Sequence, residues 1–513
     1  MLRKVIFGVL TFMLALGSFI LGGNETKKAE AATSESTNQM VNRAVSDYFT
    51  SFRSEISKNQ DGSYAISYNG KTMRFFMETK GSPDSNGKYP LYITLHGGGG
   101  TAAESNDEQW RQMSSYYKGS VTNGIYIACR GITDTWDLHF QKESYFLYDK
   151  IIKTMIAKYN ADPNRVYLLG FSAGGDGVYQ ILPRMADRFA AGNMSSGHPN
   201  SVSLINLANC PISIQVGVRD YYSRSALRCV RAAEFEKTLS DYNKTYQLPY
   251  EHRVLIHVPA GHNYKDNQTS ATAYVLADPT SFANKGEGML NDFVAVFEKT
   301  ENASGMDDAR KVNRVSYLPL EDNNFNNEIK KVVTDKYKLA IKEVKPDAIT
   351  YLSQFKRNPL PNKIIWDLGT RTDAQESFYW LQADNSVNKG IISASIDKNA
   401  NTISLKTDNV SGDFSILISP YMLDVSKPIQ VVTPNGRYSI TVEPSQAMVE
   451  ESLQDRGDPN LVYVAKLKYN VANGNIEAEY SSITSHQTLW EKLVDVVQEI
   501  FKQKGADGFI PLM

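Results

Sequence analysis

Short apolar runs alternating with segments of helical period dominate the first half of the chain. Apolar residues fill 91–95, 125–129, 166–169, 212–216 and 254–258, each too short for a helix and bounded by polar or glycine-rich residues, as buried strands are. Between these runs the period lengthens. In 145–158, Leu147, Ile151, Ile152 and Met155 share one face, and 174–185 and 226–239 also read as helices. Earlier, 63–68 and 72–79 flank Asn69-Gly70, a hairpin signal, and 37–56 reads as an amphipathic helix. Strands that alternate with helices predict a mostly parallel sheet covered on both faces.

The pattern then changes. Residues 266–340 are polar and irregular, with a helix predicted over 327–344; the segment reads as a surface insertion or, given its length, as a lid over a site. Pro346 opens a further helical stretch to about 357, broken by Asn358-Pro359-Leu360-Pro361. Beyond it, 391–396, 402–407, 414–418, 429–433 and 438–442 are β-rich runs punctuated by turn residues, including Asn435-Gly436, which predicts an all-β, sandwich-like domain over 363–480. At the end, Thr488 and Glu491 form a capping box for an amphipathic helix over 484–505 that carries Trp490, Leu493, Val494, Val497, Ile500 and Phe501 on one side; that side is expected to dock onto the protein.

A length of 513 residues exceeds what one core organises, so 37–358 is expected to form one domain and 363–480 a second. The N-terminus adds a location. Arg3 and Lys4 precede an apolar run over 5–21, and Ala29-Glu30-Ala31 supplies small residues for cleavage, so 1–31 reads as a secretory signal peptide and the mature protein as secreted. An uncleaved N-terminal anchor is the rival reading. No later run approaches spanning length, so no stable membrane insertion is expected after signal removal. A net charge of -1 without a basic block gives no footprint for nucleic acid. Three cysteines, Cys129, Cys210 and Cys229, are too few for a disulfide scaffold; Cys210 and Cys229 are open to pairing or to burial as free thiols.

Chemistry enters at Gly170-Phe171-Ser172-Ala173-Gly174, the one G-x-S-x-G in the chain. A predicted strand precedes it and a predicted helix follows, the strand–turn–helix setting in which such a serine is lifted above the sheet as a nucleophile. A serine hydroxyl needs a base. Asp220 follows the run 212–216 and His262 follows 254–258. Ser172, Asp220 and His262 thus come in the order Ser, Asp, His, all beyond the C-terminal ends of parallel strands, where such sheets place their sites. Asp176 is expected to brace the turn, and Asp187 has no strand before it. His257 lies within an apolar run and reads as core, and His252 as a surface residue before that run. His198, in Gly197-His198-Pro199-Asn200, is a candidate substrate-side residue.

His96-Gly97-Gly98-Gly99-Gly100 closes an early strand. Glycines let the main chain approach a developing oxyanion, so an N–H of Gly98 or Gly99 with that of Ala173 is the expected oxyanion hole. No H-E-x-x-H motif occurs, and neither metal nor cofactor is expected.

With these motifs placed, the chain resembles bacterial α/β-hydrolases of the polyhydroxybutyrate-depolymerase-like and prolyl-oligopeptidase-like esterases. The resemblance runs through Leu95-His96-Gly97-Gly98-Gly99, Asp162-Pro163-Asn164-Arg165-Val166, Ser172-Ala173-Gly174-Gly175-Asp176-Gly177 and Gly261-His262, and into Phe378-Tyr379-Trp380-Leu381 and Asp424-Val425-Ser426-Lys427-Pro428. It implies an α/β-hydrolase fold, the triad Ser172, Asp220 and His262, and cofactor-free hydrolysis of a small-molecule or polymeric ester. Such families mix esterases with peptidases, so a prolyl-oligopeptidase-type peptidase is the alternative. A surface binding protein on a disabled hydrolase scaffold is the reading from another class. The stretch after His262 has no counterpart in the resemblance.

Overall fold

The computed structural model describes residues 35–263 and 272–479; the candidate signal peptide and the helix expected over 484–505 lie outside them. Eleven strands form the main sheet: β1 Ser57–Lys58, β2 Tyr64–Tyr68, β3 Lys71–Lys80, β4 Tyr89–Leu95, β5 Gly124–Cys129, β6 Ala161–Phe171, β7 Ala191–Ser195, β8 Ile212–Gly217, β9 His252–His257, β10 Ala273–Leu276 and β11 Ile341–Val344. Their order is β1-β2-β3-β5-β4-β6-β7-β8-β9-β10-β11. From β5 to β9 every neighbour is parallel. These strands are the apolar runs: β4, β5, β7 and β8 are buried almost throughout, because helices cover both faces and leave no wet side on which polar residues would alternate. This is an α/β-hydrolase fold.

The order places the site. The chain runs from β4 to β5 on one side and then to β6 on the other side of β4. That reversal opens a crevice at the carboxyl ends of β4 and β6, a topological switch point. The residues that emerge there are His96 to Gly100 from β4 and Ser172 from β6.

The hairpin at Asn69-Gly70 forms as expected, with Tyr68 paired to Lys71. The helix expected over 37–56 is shorter, Thr37–Ser51, and the one expected over 346–357 is the single turn Ala348–Leu352. The helix expected over 327–344 is corrected. Helix Asn323–Lys331 passes through a π turn, Val332–Lys336, after which Lys338 takes a positive φ of 55° and the chain becomes strand β11, antiparallel to β10. Local period favoured helix, but pairing at a sheet edge won. All three cysteines are buried free thiols.

Two five-stranded sheets follow. One joins Lys363–Asp367, Ile391–Asp397, Thr402–Asp408, Ile429–Thr433 and Gly436–Ile440; the other joins Ser377–Phe378, Leu381–Gln382, Phe414–Ile418, Ala465–Tyr469 and Ile476–Glu479. Alternating burial along Ile391–Asp397 and Ile429–Thr433 marks one-sided cores. Trp366 of the first sheet stacks on Phe378 of the second with centroids 5.6 Å apart, and buried apolar residues of both sheets belong to one core. Among the described residues no helix is long and apolar enough to cross a membrane.

Candidate active site

Ser172 sits between the last residue of β6 and the helix Ala173–Arg184, at φ 57° and ψ −121°. A non-glycine residue holds such a conformation only when its surroundings enforce it. Its N–H donates to the Ser195 carbonyl at 3.0 Å. The flanking glycines are required by approach: a Cβ on Gly174 would collide with the Leu95 carbonyl, and one on Gly170 with the Gly174 carbonyl. Helix and strands can therefore close on the turn only if these positions carry no side chain.

The structure brings the sequence candidates together. His262 Nε2 lies 3.0 Å from Ser172 Oγ, and His262 Nδ1 lies 3.1 Å from each carboxylate oxygen of Asp220. A carboxylate accepts, so Nδ1 carries the proton and Nε2 is free to accept from the serine hydroxyl. Asp220 is wholly buried. Burial opposes its ionisation, but the charges of His262 and Arg228 outweigh that, and the carboxyl is held below its ordinary range.

The oxyanion candidates separate. The Gly99 N–H donates to Asn106 Oδ1 at 2.9 Å, so it is spent on the loop itself. Gly99 is corrected as an oxyanion donor. Gly98, at φ 101°, remains, together with Ala173, which opens the helix after Ser172, where N–H groups are left over. Gly97 lies against the Ser172 side chain: a Cβ there would stand 3.2 Å from Ser172 Cβ.

Several residues that shape the site were not singled out in the sequence. Asn106 also donates through Nδ2 to Asp134 Oδ1 at 2.9 Å, which is itself paired with Arg130. His96 is structural. Its Nε2 accepts from the Gly131 N–H at 3.1 Å, its carbonyl accepts from His139 Nε2 at 2.9 Å, and burial drives both rings to the neutral form, His139 to about 3. Replacing Asn106 by Ala frees the Gly99 N–H and removes the Asp134 tether, so the loop carrying Gly98 loses its anchor. We expect kcat to fall on the order of 10²-fold, the cost of an ångström's misplacement, with KM for a small ester little changed; steady-state kinetics checks the split.

Within 272–340, one stretch bonds directly to the loops that carry the site. The His262 N–H donates to the Ser316 carbonyl at 2.7 Å, and Ser316 Oγ bonds the main chain of Arg219 and Tyr221 on either side of Asp220. Arg219, fully buried, ties the Pro259 carbonyl at 2.7 Å to the Leu318 carbonyl at 2.6 Å. One short stretch, 315–318, thus clamps both loops. Tyr317 from the same stretch lies against the His262 ring at 5.1 Å between centroids and is 49% exposed.

His198 is half-buried. Its N–H donates to Asp176 Oδ1 at 2.6 Å and its ring engages Asn200 at 3.0 Å, so its bonds brace a loop beside the triad. Asp176 braces this loop, through the His198 N–H and Asn200 Nδ2, rather than the Ser172 turn expected of it. His257 is a core residue bonded to Gln215 at 3.0 Å. His252 is corrected: it is the first residue of β9, largely buried, bonded to the Tyr250 carbonyl at 2.6 Å.

No family model matches the chain. Among curated proteins, it is 30% identical over 135 residues to a bifunctional acetylxylan esterase/xylanase of Neocallimastix patriciarum, which covers 26% of this chain and 18% of that protein. It is 29% identical over 118 residues to feruloyl esterase B of Thermothelomyces thermophilus, covering 21% of this chain and 39% of that one. A secreted lipase of Arthroderma benhamiae is 26% identical over 202 residues, covering 33% of this chain and 34% of the lipase. Among solved structures, a thermostable esterase covers 40% of this chain and is covered over 54% of its own, at 18% identity and a TM-score of 0.29. The chain spans from 18% to 39% of the length of these curated relatives, and what it is similar to, in each, is a protein that hydrolyses esters.

Proposed function

We propose that the protein is a serine hydrolase of carboxylic esters that works through an acyl-enzyme. The observation that carries this is the line from Ser172 Oγ through His262, 3.0 Å on one side and 3.1 Å on the other, to a buried, ionised Asp220. Ser172 Oγ attacks the ester carbonyl carbon while its proton passes to His262 Nε2. The tetrahedral oxyanion is received by the N–H groups of Gly98 and Ala173, each donor contributing about 2.7–4 kcal/mol to the transition state. Asp220 stabilises the imidazolium. Collapse expels the alcohol, which takes the proton from Nε2; a water activated by the same nitrogen then releases the acid and restores Ser172.

The substrate is read as a small-molecule or polymeric ester, in keeping with the likeness to polyhydroxybutyrate-depolymerase-like esterases and with the ester-cleaving relatives. Secretion, as the N-terminal pattern implies, is part of the same proposal, as is a β-sandwich domain accompanying the hydrolase. Exposed Tyr222 and Tyr317 on the His262 side and exposed Trp136 beside Gly99 give the mouth an aromatic rim for the non-reacting part of the substrate. Labelling the purified protein with a fluorophosphonate and mapping the adduct by mass tests the reading. An adduct on Ser172 is expected; folded protein that carries none would overturn it. Esters and amides compared on the labelled-competent protein then separate esterase from peptidase.

A further inference from the structure

The helix Arg228–Tyr246 begins with a buried arginine and has no acidic residue in its first turn. A cation at a helix N-terminus opposes the helix dipole, and burial adds to the cost. A local rule broken this openly calls for a compensating role. Arg228 Nη1 lies 3.2 Å from Asp220 Oδ1 and 3.5 Å from His262 Nδ1. Because Nδ1 carries the proton that goes to Asp220, the second approach is that of one donor to another: charge, not a hydrogen bond.

Resting on the acyl-transfer reading above, we propose that Arg228 is a positioning residue of the triad: bonded to Asp220 and set beside His262 Nδ1, it aligns the carboxylate and places a positive charge against the base, so that the pH dependence of the reaction depends on it. The groups around it are few. Asp220 and His262 face it from the loops after β8 and β9, and Asp176 from the helix after Ser172. His198 faces it from the loop after β7, kept towards its neutral form by burial and by Arg228 itself. Tyr222 stacks over the guanidinium at 5.2 Å and Tyr317 lies on the far side. The neighbouring Cys229 thiol is held neutral by burial, and Arg231, one turn on, is exposed. Asp176 has a part in the balance. Burial raises it to about 6 against the pull of Arg228, so above that range its carboxylate offsets part of the charge that Arg228 places beside His262.

The test is the pH profile of kcat/KM for a neutral small ester, together with the pH dependence of fluorophosphonate labelling at Ser172. In Arg228→Met the acid limb is expected to move up by about 1 pH unit or more, the direction for removing a unit charge near 4 Å from the base. Arg228→Lys, which keeps the charge, should leave the limb near its wild-type position while losing part of kcat with the lost fork. In Asp176→Asn the limb should move down, the opposite sign, which a packing role would not produce. A limb in folded Arg228→Met that coincides with wild type overturns the proposal. If Arg228→Met gives no cooperative melt, Asp176→Asn decides, and a limb that stays or rises overturns it. Failure of the underlying reading looks different: wild type itself would then carry no label on Ser172.

Discussion

Ser172→Ala is expected to lower kcat for ester hydrolysis by about 10⁶-fold while leaving the unfolding transition within about 1 kcal/mol of wild type. The activity loss follows because, among the described residues, the nucleophile in line with His262 Nε2 is Ser172 Oγ at 3.0 Å. The small stability change follows from what the side chain does not do. The Ser172 main chain keeps its bond to the Ser195 carbonyl, and the turn is enforced by Gly170 and Gly174 against the main chain around them. Loss of His262 should cost about as much as loss of Ser172, and the double variant little more, because the residues act as a unit. What survives should still exceed the uncatalysed rate by roughly 10³–10⁴-fold, since the N–H groups of Gly98 and Ala173 are untouched. Steady-state kinetics beside thermal melts gives both numbers. Ester turnover undiminished in a folded variant would remove Ser172 from the mechanism.

The parts of this site legible in the sequence share a property. Ser172 stands in a motif whose meaning is local, and Asp220 and His262 follow apolar runs whose ends are visible without any tertiary information. Strand-end reasoning then supplies their proximity. Asn106, Arg228 and Ser316 carry no comparable signal. Each is an ordinary polar residue on a helix whose role exists only in the folded chain: Asn106 meets the loop after β4, and 315–318 with the start of Arg228–Tyr246 meet the loops after β8 and β9. The spending of the Gly99 N–H on Asn106 was equally hidden, because a run of glycines does not say which amide is already bonded. In the C-terminal half, five strands were legible as β-rich runs between turn residues, whereas Ser377–Phe378 and Leu381–Gln382 have two residues each and no period to read. Ala465–Tyr469 alternates lysine with apolar residues, a period-2 strand signal that the expected elements did not include.

A buried set of long-range ion pairs leads to the second large effect. Asp187, wholly buried, pairs with Arg456 and accepts from the Tyr379 N–H at 3.1 Å. Arg357 donates to the Asp187 carbonyl at 2.7 Å and to Asp458 at 2.6 Å. Arg188 faces both Asp149 at 3.0 Å and Asp458 at 3.7 Å. Carboxylates and guanidinia from helix Lys142–Lys158, the turn Ala186–Arg188, the connecting stretch and the C-terminal part thus form one buried, nearly balanced cluster. A buried pair is poor evidence of net stabilisation, because desolvation offsets the attraction; breaking it from one side leaves a charge with neither water nor partner. Arg456→Met is therefore expected to destabilise the protein by about 3–5 kcal/mol, read as a lower urea midpoint at unchanged slope. Asp187→Asn combined with Arg456→Met should recover much of that loss, since an amide oxygen can still accept from Tyr379 and no charge is stranded. If the double variant is instead as unstable as the sum of its parts, the cluster is acting through packing of the Arg456 stem rather than through charge balance, and removal of the β sheets would then be expected to expose an apolar face rather than unpaired ions.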